Sequence, residues 1–212
     1  MEHATYVTFY EGKGATSGVR AHILPLATQP GFKIVNSWPN KSAPASQARR
    51  EYVDGAAWMQ RSHFCWVPPG QRYGDARRHI IAAFHGCIPV FTIPDGHHTL
   101  EEVLPWRTMA LSVPQEQLPQ LPQILRNVSA EERDAMRREL SCAWRRLWFS
   151  SIYGSCLGEE TQTDALDALL QLLGRRLRLR RPAGGSGGSG GSGSDGAPLA
   201  AAWSPWPSAC SA

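Results

Sequence analysis

QRSHFCWVPPGQRYGDARRHIIAAFHGCIPVFTIPD, running from Gln60 to Asp95, is the stretch on which the fold turns. Ser62 to Val67 is a short apolar and aromatic run closed by Pro68, Pro69 and Gly70, which reads as a buried strand ending in a turn. A helix is expected next, because Asp75 precedes Ala76 to Phe84 and Gly86 stands where a C-terminal cap belongs. Cys87 to Ile93 is a second apolar run, stopped by Pro94 and Asp95. The order is strand, glycine-bearing loop, helix, strand. A parallel crossover of this kind puts its loop and helix start at the carboxyl end of the first strand, where open α/β sheets bind ligands.

Gly70 and Gly74 let backbone approach a ligand, and Arg72, Arg77 and Arg78 bring guanidinium groups into or just after the loop. Helix-start amides and arginines both favour an anion. The same residues read equally as a plain turn followed by a solvated helix face, since neither GxGxxG nor a P-loop pattern is present.

Outward from this unit the alternation continues. Tyr6 to Tyr10 is a strand, followed by a loop with Gly12, Gly14, Ser17 and Gly18 ahead of Arg20. Phe32 to Trp38 is a further strand, and Ala48 to Gln60 reads as a helix with Tyr52, Val53, Ala56, Ala57 and Met59 inward. Ala110 to Val113 is the last strand and Pro114 to Arg126 a helix. Ser129 and Glu132 form a capping box for a longer helix whose Met136, Leu140, Ala143, Leu147 and Trp148 recur at helical spacing as core. A final helix is expected from about Thr163 to Arg181, its cationic end suiting the helix dipole. Strands alternating with helices imply an α/β fold with a doubly wound parallel sheet. Residues 1–181 are expected to form the domain, with its core over 6–153, and 182–212 a flexible Gly/Ser-rich tail.

The combination SHFCWVPPG, an arginine at Arg78, GCIPV and the segment Leu104-Pro105-Trp106 resembles the exostosin-like glycosyltransferases of family 47. The segment from Leu111 to Met136 is also similar, so the resemblance covers Tyr6 to Tyr153. It implies the C-terminal, sugar-nucleotide-binding half of a two-domain, GT-B type enzyme, each half Rossmann-like. The reaction implied is transfer of a sugar from a nucleoside diphosphate, UDP by expectation, to a glycan hydroxyl with inversion. The nucleotide-sugar ligands it implies are Ser17, Gly18, Arg20, Gly70, Gly74, Arg77, Arg78 and Asp95. Ile81 stands where many relatives carry an acid, and Asp95 sits one residue later than the usual acid after GCIPV. No catalytic residue is nominated, because the base that deprotonates the acceptor is expected from the acceptor half, supplied by a partner domain or subunit. A non-catalytic remnant that binds a nucleotide sugar or a partner is the alternative.

The composition narrows the rest. A net charge of +4 over 212 residues is mild, and five of the arginines crowd into Arg175 to Arg181, so an anionic small ligand suits the chain and nucleic acid is not expected. No apolar run reaches membrane-span length, and Met1-Glu2-His3 is not a signal-peptide start, so the chain as written reads as soluble without an address. Family resemblance implies the Golgi membrane for full-length relatives. His97 and His98 lie near Asp95, Glu101 and Glu102, but adjacent histidines converge poorly on one ion and no DxD occurs, so neither a metal nor another cofactor is expected. The five cysteines, Cys65, Cys87, Cys142, Cys156 and Cys210, are odd in number and two fall in strands, which points to buried thiols. Asn40-Lys-Ser42 and Asn127-Val-Ser129 are glycosylation sequons if the chain enters the secretory route.

Overall fold

A computed structural model describes residues 4–9, 19–36, 55–69, 78–92, 98–155, 157–160 and 163–180. They fall into two compact units, Met1–Thr99 with Trp106–Trp144, and Leu100–Pro105 with Arg145–Ala212.

The first unit is built on a five-stranded parallel sheet in the order β2-β1-β3-β4-β5. The strands are β1 (Ala4–Phe9), β2 (Phe32–Asn36), β3 (Ser62–Val67), β4 (Ile88–Phe91) and β5 (Leu111–Ser112). Between them run α1 (Val19–Ile23), a helical stretch at 55–61 (α2), α3 (Arg78–Phe84) and α4 (Trp106–Met109). The α/β fold read from the sequence is therefore the one observed, a Rossmann-like parallel sheet.

The central strands show why the pattern folds this way. All six residues of β3 and all four of β4 are buried, as expected for parallel strands covered on both faces. Period-two alternation then splits β3 between two cores. Phe64 and Trp66 join Ile88, Val90, Ile23, Leu26, Val113, Leu118, Leu121 and Leu125 on one side. Cys65 faces the other way, with Ala82, Cys87, Trp58 and Met59.

α3 stops where the sequence says it must. Gly86 has φ +66°, a left-handed conformation that glycine adopts without a Cβ penalty. Its neighbour turns immediately into β4, with the Cys87 N–H donating to the Ala82 carbonyl at 3.0 Å.

That turn brings about a correction. Cys65 and Cys87, expected as buried thiols, form a disulfide. β3 and β4 pair in the register Phe64↔Ile88 and Cys65↔Pro89, which sets Cys87 beside Cys65 on one face of adjacent strands. Cys142 is disulfide-bonded as well. The reading of Pro114 to Arg126 as one helix is corrected too. Gln115–Gln120 is a 3-10 helix with Pro119 inside it, and only Leu121–Asn127 (α5) is α-helical, Pro122 sitting in its first turn where a missing N–H costs nothing.

α6 (Ala130–Ala143) begins with the capping box the sequence predicts. The Glu132 N–H donates to Ser129 Oγ at 3.1 Å and the Ser129 N–H donates to Glu132 Oε2 at 2.8 Å. Leu140 and Ala143 are buried, and Arg137 reaches from this helix to donate to the Ser62 carbonyl at 3.2 Å, at the amino end of β3.

The second unit carries α7 (Ser150–Tyr153) and α8 (Ala165–Arg180). Asp164, buried, caps α8 by accepting from the Leu166 and Asp167 N–H groups at 2.9 and 3.1 Å through Oδ1. Its Oδ2 accepts from the Ser151 N–H and hydroxyl at 2.7 and 2.6 Å, tying α7 to the start of α8. Near the far end of α8, Arg176 grips Glu102 with two guanidinium nitrogens, one of them Nε at 3.1 Å from Oε2. No described helix is long and apolar enough to cross a membrane.

Candidate functional site at the carboxyl edge of the sheet

The strand order reverses direction between β1 and β3. β1 is followed by α1 and then by β2 on one flank, whereas β3 is followed by α3 and β4 on the other. β1 and β3 are hydrogen-bonded neighbours, so their outgoing connections diverge from adjacent carboxyl ends, at Phe9 and Val67. Doubly wound sheets commonly hold ligands at such a switch point.

The sequence-derived site residues distribute around that point by connectivity. Ser17, Gly18 and Arg20 follow β1, Gly70, Gly74, Arg77 and Arg78 follow β3, and Asp95 follows β4. Arg20 is the second residue of α1 and Arg78 opens α3. The two arginines thus belong to the connections that leave neighbouring strands. Ser17, Gly18, Gly70, Gly74, Arg77 and Asp95 lie outside the described residues.

The rotation of α3 is fixed by its buried face. His79, Ala82 and Ala83 are buried, at the i, i+3, i+4 spacing of a helix face turned to the core. Arg78 is half-buried at the margin of that face, and Ile81 is 44% exposed on the far side. Ile81, where the family resemblance led to the expectation of an acid, therefore points away from the packed interior.

An aromatic cluster holds this end of the sheet. The fully buried His79 ring meets Trp106 edge-on at 4.9 Å between centroids and lies 5.6 Å from Phe91, the last residue of β4. His98 stacks on Phe91 at 3.7 Å between centroids and lies 6.3 Å from His79. Trp66 adds a polar tie between the ends of β3 and β4, its buried indole N–H donating to Thr92 Oγ1 at 2.6 Å. The Trp106 indole N–H donates to the Thr99 carbonyl at 2.8 Å.

The first turn of α3 and the carboxyl end of β4 are in this way locked by packing, which is what a preorganised binding edge requires. His98, weighed from the sequence as a metal ligand, is an aromatic packing residue. Among the described residues no group of three or more His, Cys, Asp or Glu side chains is placed to hold a metal ion. His79 went unread as an anchor, although its spacing to Ala82 and Ala83 carried the signal.

The parallel sheet and its switch point define a Rossmann-like α/β domain. The chain belongs to the exostosin GT47 domain family, whose model matches residues 2–128. It is 35% identical over 105 residues to Exostosin-1 of Drosophila melanogaster, covering 49% of this chain and 14% of that protein. It is 27% identical over 117 residues to Exostosin-2 of Bos taurus, covering 53% of this chain and 16% of the relative. A probable glycosyltransferase of Arabidopsis thaliana is 24% identical over 137 residues, covering 64% of this chain and 26% of its own length. The chain thus spans between about a seventh and a quarter of the length of these relatives.

Proposed function

We propose that this chain is the sugar-nucleotide-binding part of a glycosyltransferase, one that moves a hexosyl or pentosyl group from a UDP-sugar to a glycan hydroxyl with inversion. The observation that carries the reading is the switch point between β1 and β3 in a chain of the exostosin family, with Arg20 and Arg78 on the two connections that leave it. In this reading Arg78 and Arg20 neutralise the diphosphate, and Ser17, Gly18, Gly70, Gly74 and Arg77 complete the cradle, with Asp95 turned to the sugar or ribose.

The chemistry follows from charge. Breaking the bond between the sugar and the diphosphate leaves two negative phosphates, and guanidinium groups already in place stabilise that charge as it develops. No metal is needed for that role. The acceptor hydroxyl must lose a proton to a base on the opposite face of the sugar, and the proposal assigns this base to a partner domain or subunit. A glycan acceptor, hence a part in polysaccharide biosynthesis or protein glycosylation, belongs to the same proposal.

The family resemblance and the disulfide-bonded Cys65, Cys87 and Cys142 support a place for the chain in the Golgi lumen, since disulfides persist in oxidising compartments. The exposed Ile81 favours a second reading, in which the domain binds a nucleotide sugar without turning it over. Calorimetric titration with UDP and UDP-sugars separates these readings from none at all. Binding weakened by both Arg20→Ala and Arg78→Ala supports a donor site, and a folded chain that gives no binding heat of either sign with any UDP compound sinks it. Transfer to glycan acceptors after mixing with an acceptor domain distinguishes the catalytic reading from the binding one.

A further inference from the structure

We infer that Asn127 is an N-glycosylation site, modified on the nascent chain before α6 closes over the sequon. The inference rests on the luminal reading given above.

Asn127, Val128 and Ser129 make the acceptor triplet. Asn127 is the last residue of α5 and is exposed, as is Ser129. Val128 and Ser129 have extended backbone, with ψ of 115° and 165°, so the triplet leaves the helix in extended form. Asn127 lies off the packed face of this segment, whose inward-facing residues are Leu121, Ile124, Leu125 and Val128. The other sequon, Asn40-Lys-Ser42, lies outside the described residues.

The transfer itself joins Asn127 Nδ2 to C1 of the reducing sugar of a polyisoprenyl-diphosphate oligosaccharide. The bond from C1 to the diphosphate oxygen breaks, that oxygen keeps the electron pair, and one amide proton leaves to solvent or a base.

The fold sets the timing. A transferase reads the serine hydroxyl, yet in the folded chain Ser129 Oγ accepts the Glu132 N–H at 3.1 Å and the serine N–H is held by Glu132 Oε2 at 2.8 Å. The capping box therefore competes with the transferase for one hydroxyl. Modification precedes closure of the box, and weakening the box raises occupancy.

The test expresses the full chain behind a cleavable signal peptide in eukaryotic cells. Peptide mass spectrometry then reads glycan at Asn127 and the Cys65–Cys87 bridge in one sample. The expected result is a bridged chain with most of Asn127 converted to aspartate by peptide N-glycosidase. Asn127→Gln abolishes that signal, and Ser129→Thr, which keeps both cap and sequon, retains it. Glu132→Ala raises occupancy above the wild-type level, and an unchanged or lower occupancy overturns the timing. A bridged chain with bare Asn127 overturns the glycosylation site while leaving the luminal reading intact. A folded chain with Cys65 and Cys87 as thiols overturns the luminal reading and the inference with it.

Discussion

Replacing Cys65 and Cys87 together by alanine tests how the centre of the sheet is held. The bridge closes a loop with a sequence separation of 22 between two hydrogen-bonded strands. In the chain-entropy account, releasing such a loop gives the unfolded state freedom worth about 3.4 kcal/mol. Both sulfur atoms are buried, so their removal adds on the order of 1 kcal/mol each. Local stability of β3 is read by amide exchange of Phe64 to Trp66 against urea, for wild type and the double variant, each with and without reductant. Reductant also opens the Cys142 bridge, and it does so in both proteins, so that effect cancels. The reductant-dependent loss in wild type should exceed that in the variant by about 3 kcal/mol. A difference below about 1 kcal/mol refutes the reasoning, as does a peptide map showing thiols at 65 and 87.

Thr92→Val removes the acceptor of the buried Trp66 indole and should cost about 1–3 kcal/mol by chemical denaturation, with Thr92→Ser recovering most of it. Gly86→Ala meets nothing within 4 Å of the new Cβ, so its cost is the left-handed backbone alone, about 1–2 kcal/mol; a null effect on urea midpoint contradicts this. Asp164→Ala removes the cap of α8 and the tie to Ser151 and should lower the stability of that helix by about 1–2 kcal/mol, visible as faster amide exchange at Leu166 and Asp167. Burial raises the Asp164 pKa, but the bonds from Ser151, Asp167 and Leu166 outweigh it and hold the carboxyl below its ordinary value. The unfolded chain then binds the proton more readily, so this stability is fully present above about pH 4 and is lost as pH falls through the folded value. The acid midpoint of wild type should accordingly lie above that of Asp164→Asn when each is measured relative to its neutral-pH stability.

The parts of this fold that were legible in the sequence are those set by local chemistry. β3 shows as an apolar run ended by two prolines, Gly86 as a stop that no other residue makes so cheaply, and the capping box as a serine and glutamate three apart. The family resemblance nominated Arg20 and Arg78, which are the second residue of α1 and the first of α3. The disulfide was hidden because it depends on the register of β3 against β4, which no count of cysteines reveals. The 3-10 stretch before α5 had a visible cause in Pro119 and Pro122, outweighed in the reading by the helical spacing of Leu118, Leu121 and Leu125. Asp164 carried a local sign, a carboxylate just before ALDALL, whereas its contact with Ser151 comes only with tertiary structure.

The central claim is that a nucleoside diphosphate binds where β1 and β3 diverge. Amide hydrogen exchange of the full chain with and without saturating UDP tests it most directly. The account predicts slowed exchange confined to the segments after β1, β3 and β4, including α1 around Arg20 and α3 from Arg78, and lost in Arg78→Ala. UDP-dependent protection that maps instead to α8, or none at concentrations where calorimetry shows binding, contradicts it.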